Sequence, residues 1–131
     1  MDELFIEAKV ENMDSVMDFI NKRIKDCPEK IQHQIEIAVD EAFSNIARYA
    51  YRPSTGSAAV RIAVDSEIVI EFEDNGIAYD PLSTDIPDIS LPAEEREIGG
   101  LGVFILRKLM DSVEYRREEN KNILTIRKRI T

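Results

Sequence analysis

The sequence predicts an α+β domain, with helices laid on one face of a largely antiparallel sheet. Three observations carry that reading. Apolar and polar residues alternate from Leu4 to Val10, the period of a half-buried strand. Ile31, Ile35, Val39, Ala42, Phe43 and Ile46 recur at helical spacing, which makes one apolar stripe. Ala58, Val60, Ile62 and Val64 alternate, Asp65-Ser66 follows, and Ile68, Ile70 and Phe72 alternate again; two such runs about a tight turn form a hairpin. Adjacent hairpin strands pair antiparallel, so the helices must cover one sheet face.

The remaining elements follow in order. Asn12 stands where a helix N-cap is expected, ahead of Met13, Val16, Met17, Ile20, Ile24 and Cys27 at helical spacing. Pro28 ends that helix and can open the next. Arg52 to Ser57 reads as a loop. From Ile77 to Ile98 no period is sustained, and Pro81, Pro87 and Pro92 lie among many acids. About twenty residues without a pattern inside a compact domain mark a functional or mobile segment such as a lid. Gly99-Gly100-Leu101-Gly102 then precede an apolar helix, Val103 to Met110. Val113 and Tyr115 form a short strand. Leu124, Ile126 and Ile130 form the last one, after a polar turn at Glu118 to Asn122. The expected order is β-α-α-β-β-lid-α-β-β.

Composition narrows the function. A chain of 131 residues fits one domain, with a core burying about two-thirds of the unfolded surface. Apolar residues make up 44% and charged residues 33%, which excludes intrinsic disorder. Seventeen basic against 26 acidic side chains give a net charge of −9. Nonspecific binding to nucleic acid or to an anionic membrane is therefore not expected; partners with a basic docking surface are favoured. One cysteine, Cys27, excludes an internal disulfide and a cysteine-ligated zinc site. His33 is the only histidine, expected on the surface, so Cys/His catalysis is not expected. The acidic start MDELFIEAKV lacks the form of a secretory signal. The longest uncharged run, Ile98 to Leu106, is far short of the roughly 18 residues of a membrane span. A cytoplasmic location is the expectation.

Three groups of residues could carry chemistry. Glu41, Asn45 and Arg48 sit at i, i+4 and i+7 and fall within about 60° of one another on a helix. The row borders the apolar stripe, so it lies at a rim. It could supply a base, a metal ligand and a phosphate partner, or simply be a solvated face. Asp74 shares the parity of Ile68, Ile70 and Phe72 and so continues the buried strand face. An unpartnered buried carboxylate costs several kcal/mol. Asp74 therefore has a donor partner, such as a ligand N–H in a pocket, or turns outward as the first residue of an Asp74-Asn75-Gly76 turn. Gly76 could take a positive φ or admit a close ligand. Gly99, Gly100 and Gly102 at a helix start would expose N–H groups to phosphate, but match neither the Walker A nor the dinucleotide fingerprint.

Taken in order, Glu41-x-x-x-Asn45, Asp74-x-Gly76 and Gly99-Gly100-Leu101-Gly102 resemble the GHKL ATPases, the superfamily of gyrase and the histidine kinases. The stretches DEAFSNIARYAY, DNGIAYDP and GGLGVFILRKLMD look most like the bacterial anti-sigma-factor serine/threonine kinases. The resemblance spans essentially the whole chain and implies one two-layer α/β sandwich over 1–131, with a mixed, mostly antiparallel sheet and a short ATP lid at about 78–98. It implies ATP and Mg²⁺ as ligands, with Asn45 on the metal and Glu41 as general base. Arg48 would approach phosphate, and Asp74 would accept from the adenine amino group. Gly76 and Ala78 would lie beside the base, and Gly99, Gly100, Leu101 and Gly102 would form the hinge and phosphate-binding helix start. Ala78 stands where the family often has glycine, Tyr49 where it often has histidine, and Arg96 is three residues before Gly99. The implied partners are a sigma factor and an anti-anti-sigma (STAS-type) substrate protein, with a homodimer compatible. Two other readings remain: a nucleotide-binding module that sequesters a partner without kinase activity, and the catalytic module of a histidine kinase.

Overall fold

The computed structural model describes residues 1–51, 54–78 and 98–130. Strand β1 (Asp2–Glu7) leads through a 3-10 turn (Val10–Asn12) into α1 (Met13–Ile24) and α2 (Glu29–Asn45). A π-helical turn (Ile46–Ala50) continues α2. The hairpin of β2 (Ser57–Val64) and β3 (Glu67–Asp74) follows, then α3 (Ile98–Leu109), β4 (Ser112–Glu118) and β5 (Lys121–Arg129). The expected order holds among the described residues. Most of the expected lid, residues 79–97 with Arg96, lies outside them.

The five strands lie in the order β1-β2-β3-β5-β4, and all four pairings are antiparallel. One sheet face carries Val60, Ile62, Ile68, Ile70, Phe72 and Ile126, all nearly inaccessible to solvent. Against it pack Val16, Ile20 and Ile24 of α1, Ile35, Val39 and Phe43 of α2, and Leu106 of α3. The other face carries charge: Arg61 pairs with Glu3, with Glu73 at 3.3 Å and with Glu71 at 3.8 Å. Among the described residues no helix is long and apolar enough to cross a membrane.

Several local expectations are corrected. Asn12 does not cap α1 through its side chain; its Nδ2 donates to the Glu7 carbonyl at 2.8 Å and ties the end of β1 to the helix start. The glycines do not precede α3. The helix begins at Ile98, so Gly99 and Gly100 lie in its first turn, where the backbone N–H groups have no partner within the helix, and Gly102 lies one turn on. The last two strands are longer than their apolar alternation predicts. β5 pairs with the whole of β3 through Asn122 to Arg129, and Ile130 falls just past its end. The intervening turn narrows to Glu119 and Asn120, with φ of 48° and 65°, the positive-φ pair of a two-residue hairpin turn. His33 is exposed, as expected.

Phe43 is fully buried where α2 meets the sheet. Phe43→Ala should lower the unfolding free energy by about 3–5 kcal/mol, read from the midpoint and slope of a urea titration.

Candidate functional site

At one end of the sheet the core face stops being apolar. Ala58, Asp74 and Asn122 lie side by side across β2, β3 and β5, one step beyond the row Val60, Phe72 and Leu124. Asp74 is only 6% exposed. The residue opens the turn but stays inside with donor partners, so the outward-turned reading is corrected. Its Oδ1 accepts the Gly76 backbone N–H at 2.9 Å, closing a turn, and the Asn122 Nδ2 at 2.9 Å. Among the described residues both donors meet Oδ1, and Oδ2 accepts no hydrogen bond.

Asp74 lines a small cavity of about 50 Å³ that opens to solvent. Ala42, Ile46, Phe72, Ile77 and Leu124 supply apolar walls. Asn45, Tyr49, Tyr115 and Asn122 add polar groups beside Asp74. A slot with apolar sides and one buried carboxylate suits a flat, partly apolar ring that bears an N–H donor. Burial pushes the Asp74 carboxyl up from the ordinary range, against the Asn122 amide, the Gly76 N–H and the Arg117 charge, which all favour ionisation.

The π-helical turn shapes the opposite wall. The Ala50 carbonyl accepts the Ile77 N–H at 2.9 Å, which brings the end of this turn against the chain leaving β3. A Cβ on Gly76 would lie 2.2 Å from the Ala50 oxygen. Among the described glycines none has a positive φ, so glycine is required here by close backbone approach and not by a left-handed conformation. Tyr51 fastens the same corner. Its hydroxyl donates to the Ser57 carbonyl at 2.6 Å and accepts the Asn75 N–H at 2.7 Å.

Of the sequence-predicted residues, the structure brings Asn45 and Asp74 to one cavity. The Asn45 side chain makes no hydrogen bond among the described residues, so its amide oxygen is available to a ligand. Glu41 is half-buried one turn earlier but does not line the cavity. Burial, then the neighbouring Asp40 charge, pushes its carboxyl up, while Arg48 opposes this. Arg48 is exposed in the π-helical turn and lies off the cavity wall. Ala78 is exposed beyond Ile77 and also off the wall. Gly99, Gly100, Leu101 and Gly102 belong to the first turns of α3. Among the described residues no cluster of three or more His, Cys, Asp or Glu could hold a metal by itself.

Sequence reading missed Asn122, Tyr115, Arg117 and Tyr51. Asn122 was assigned to a turn, yet it shares the parity of Leu124 and Ile126 on a buried strand face. That is the same anomaly that marks Asp74, a polar residue continuing an apolar register. Tyr115 and Arg117 left no comparable signal, because β4 is a mostly exposed edge strand.

A helical layer on one face of an antiparallel sheet, with a buried carboxylate facing an apolar cavity at its end, has the form of a GHKL-type ATPase domain. The pattern of the histidine kinase-like ATPase domain matches residues 6–128, and the chain belongs to that family. It is 28% identical over 100 residues to the serine/threonine-protein kinase BtrW of Bordetella bronchiseptica, covering 74% of this chain and 70% of that one. It is 30% identical over 95 residues to the serine-protein kinase RsbW of Bacillus cereus, covering 69% of this chain. The matched part is 59% of that relative's length. The solved structure of the Acinetobacter baumannii histidine kinase AdeS has the same fold, with a TM-score of 0.51 at 14% identity over the whole of this chain and 70% of that one.

Two outcomes test this geometry. Gly76→Ala should destabilise the fold by about 2–3 kcal/mol, because the Ala50 backbone cannot yield cheaply. Asp74→Asn keeps an Oδ1 acceptor and removes a buried charge. The folded carboxyl is raised, so the native wild type binds protons more readily than the unfolded chain and loses stability as pH rises through the acid range. The stability of Asp74→Asn relative to wild type should therefore rise with pH there and level off towards neutrality, measured by urea unfolding across a pH series.

Proposed function

We propose that this chain binds Mg·ATP and transfers the γ-phosphoryl group to a serine or threonine of a small partner protein. By the resemblance in its motifs, that substrate is an anti-anti-sigma (STAS-type) protein, and the other partner is a sigma factor that the chain sequesters. The observation that carries the proposal is Asp74, a buried carboxylate with one unbonded oxygen, set in the wall of a largely apolar cavity. Such an acceptor suits the adenine amino group, and the apolar walls suit the ring faces. The serine kinases among the relatives support the transfer step.

Asn45 fits a magnesium ion. This cation takes few protein ligands and keeps waters and substrate phosphates around it, so one free amide oxygen is a sufficient donor. When bound, the ion neutralises charge on the phosphate oxygens. The first turns of α3 suit the phosphates, since glycines there leave backbone N–H groups uncovered. Glu41 takes the proton of the attacking hydroxyl. The new O–P bond forms as the bond to the β-phosphate oxygen breaks, the proton goes to the Glu41 carboxylate, and ADP departs. Burial favours this, because a carboxyl raised above its ordinary range is a stronger base.

A second reading, nucleotide-dependent sequestration without transfer, draws on the position of Glu41 outside the cavity wall. Glu41→Gln separates the two. The variant should bind Mg·ATP as wild type does and lose about 100-fold or more in labelling of the partner by γ-labelled ATP. Unchanged labelling would remove the base role from Glu41, and wild type that binds ATP but labels no partner would favour sequestration alone. Asp74→Asn, which sets an amide N–H against the adenine amino group, should weaken ATP by at least about tenfold, read by calorimetric titration.

A further inference from the structure

The Asp74 carboxylate is held by a second residue that is itself held in one orientation. The Nδ2 of Asn122 donates to Asp74 Oδ1 at 2.9 Å and to the Ile77 carbonyl at 2.8 Å. Both amide hydrogens are thereby engaged. The Oδ1 of Asn122 accepts from the Tyr115 hydroxyl at 2.5 Å and from Arg117 Nη1 at 3.0 Å. Arg117 Nη1 also donates to the Gly76 carbonyl at 2.9 Å. An amide rotated by half a turn would set its N–H₂ against a guanidinium and a hydroxyl donor. It would also set its oxygen against a carboxylate and a carbonyl. Four contacts thus fix which end of Asn122 faces Asp74, and Asn122 is only 7% exposed.

Resting on the adenine-site reading above, we propose that Asn122 is the positioning residue that sets base selectivity: its amide occupies Asp74 Oδ1 and so presents Oδ2 to the cavity as the acceptor for an amino group. Asn122 acts through Asp74, since its own two donors are already taken. It also fastens the β3 exit through Ile77, and Arg117 does so through Gly76. The acceptor and the cavity wall are therefore set by one hydrogen-bonded unit on β4 and β5. A purine with a ring amino group meets Oδ2 with a donor; a purine with a carbonyl there meets it with a second acceptor. Without the Asn122 amide, Asp74 keeps only the Gly76 N–H to fix its orientation and can hold a proton more easily, because a donor that favours its ionised form is gone; a protonated carboxyl can donate to a ring carbonyl. The discrimination then falls, whereas apolar contact with the ring is kept.

The test is calorimetric titration of wild type, Asn122→Ala and Asn122→Asp with Mg·ATP and Mg·ITP, the latter bearing a carbonyl where ATP bears the amino group. Wild type should prefer ATP. Asn122→Ala should weaken ATP by at least about tenfold, with a smaller change for ITP, so that the ATP:ITP ratio moves towards one. Asn122→Asp keeps the side-chain shape and the Arg117 partner, and puts an acceptor where the donor stood; it should lose the ratio as well. A purely structural role would weaken both nucleotides alike and leave the ratio unchanged, which would overturn the proposal. If Asn122→Ala does not fold, the Asn122→Asp ratio decides. Wild type that binds ATP with no preference over ITP overturns selectivity at this residue while nucleotide binding stands. Wild type that binds neither nucleotide overturns the adenine-site reading and this proposal with it.

Discussion

A carboxylate that continues a hydrophobic strand face is tolerated only where donors reach it, and this requirement organises one end of the molecule. Asp74 follows Ile68, Ile70 and Phe72 in register and is nearly as buried as they are. Its Oδ1 needs the Gly76 N–H and the Asn122 amide, so the chain must turn sharply after β3 and β5 must bring an amide opposite. Asn122 then needs donors for its own oxygen, which Tyr115 and Arg117 supply from the edge strand. The sheet ends in a polar unit three strands wide instead of an apolar row, and the cavity lies above it.

The helical layer answers the same constraint from the other side. The π-helical turn at Ile46–Ala50 carries the end of α2 close enough for the Ala50 carbonyl to accept the Ile77 N–H. That closeness leaves no room for a side chain at residue 76. Tyr51 adds a hydroxyl that joins the start of β2 to the residue after β3. Wider helical turns of this kind are rare and recur at functional sites. Here the turn sets Ile46, Tyr49 and Ala50 along the cavity and leaves Arg48 outside it. A row that simple α-helical periodicity keeps together is thus divided, with Asn45 in the cavity wall and Glu41 and Arg48 off it.

Family membership and site chemistry rest on different observations. The domain match and the shared fold concern the whole chain. The assignment of a base acceptor concerns one carboxylate and the residues that hold it. The match and the fold define the class of domain, whereas the ligand proposed at the end of the sheet rests on the carboxylate. Fold and site differ in what they require: the fold needs the apolar faces of α1, α2 and the sheet, whereas the site needs a polar unit that those faces would otherwise exclude.

The linear pattern alone determined the element order, the helical face of α2, the β2–β3 hairpin and the anomaly at Asp74. Each follows from a period of 3.6 or 2 and from the cost of burying charge. It also marked Asn45 and Gly76, through a helical row and a turn. The tertiary structure decided what those residues do. That Asn122 lies opposite Asp74 depends on β5 pairing with β3 across 48 residues, a register fixed by two sheet partners and not by local pattern. That Gly76 is needed for the Ala50 carbonyl depends on how α2 ends. That α3 takes in its glycines depends on where its helix begins, which apolar spacing from Val103 onward does not mark. Local periodicity reports which face a side chain shares; only the packed fold reports which groups meet across it.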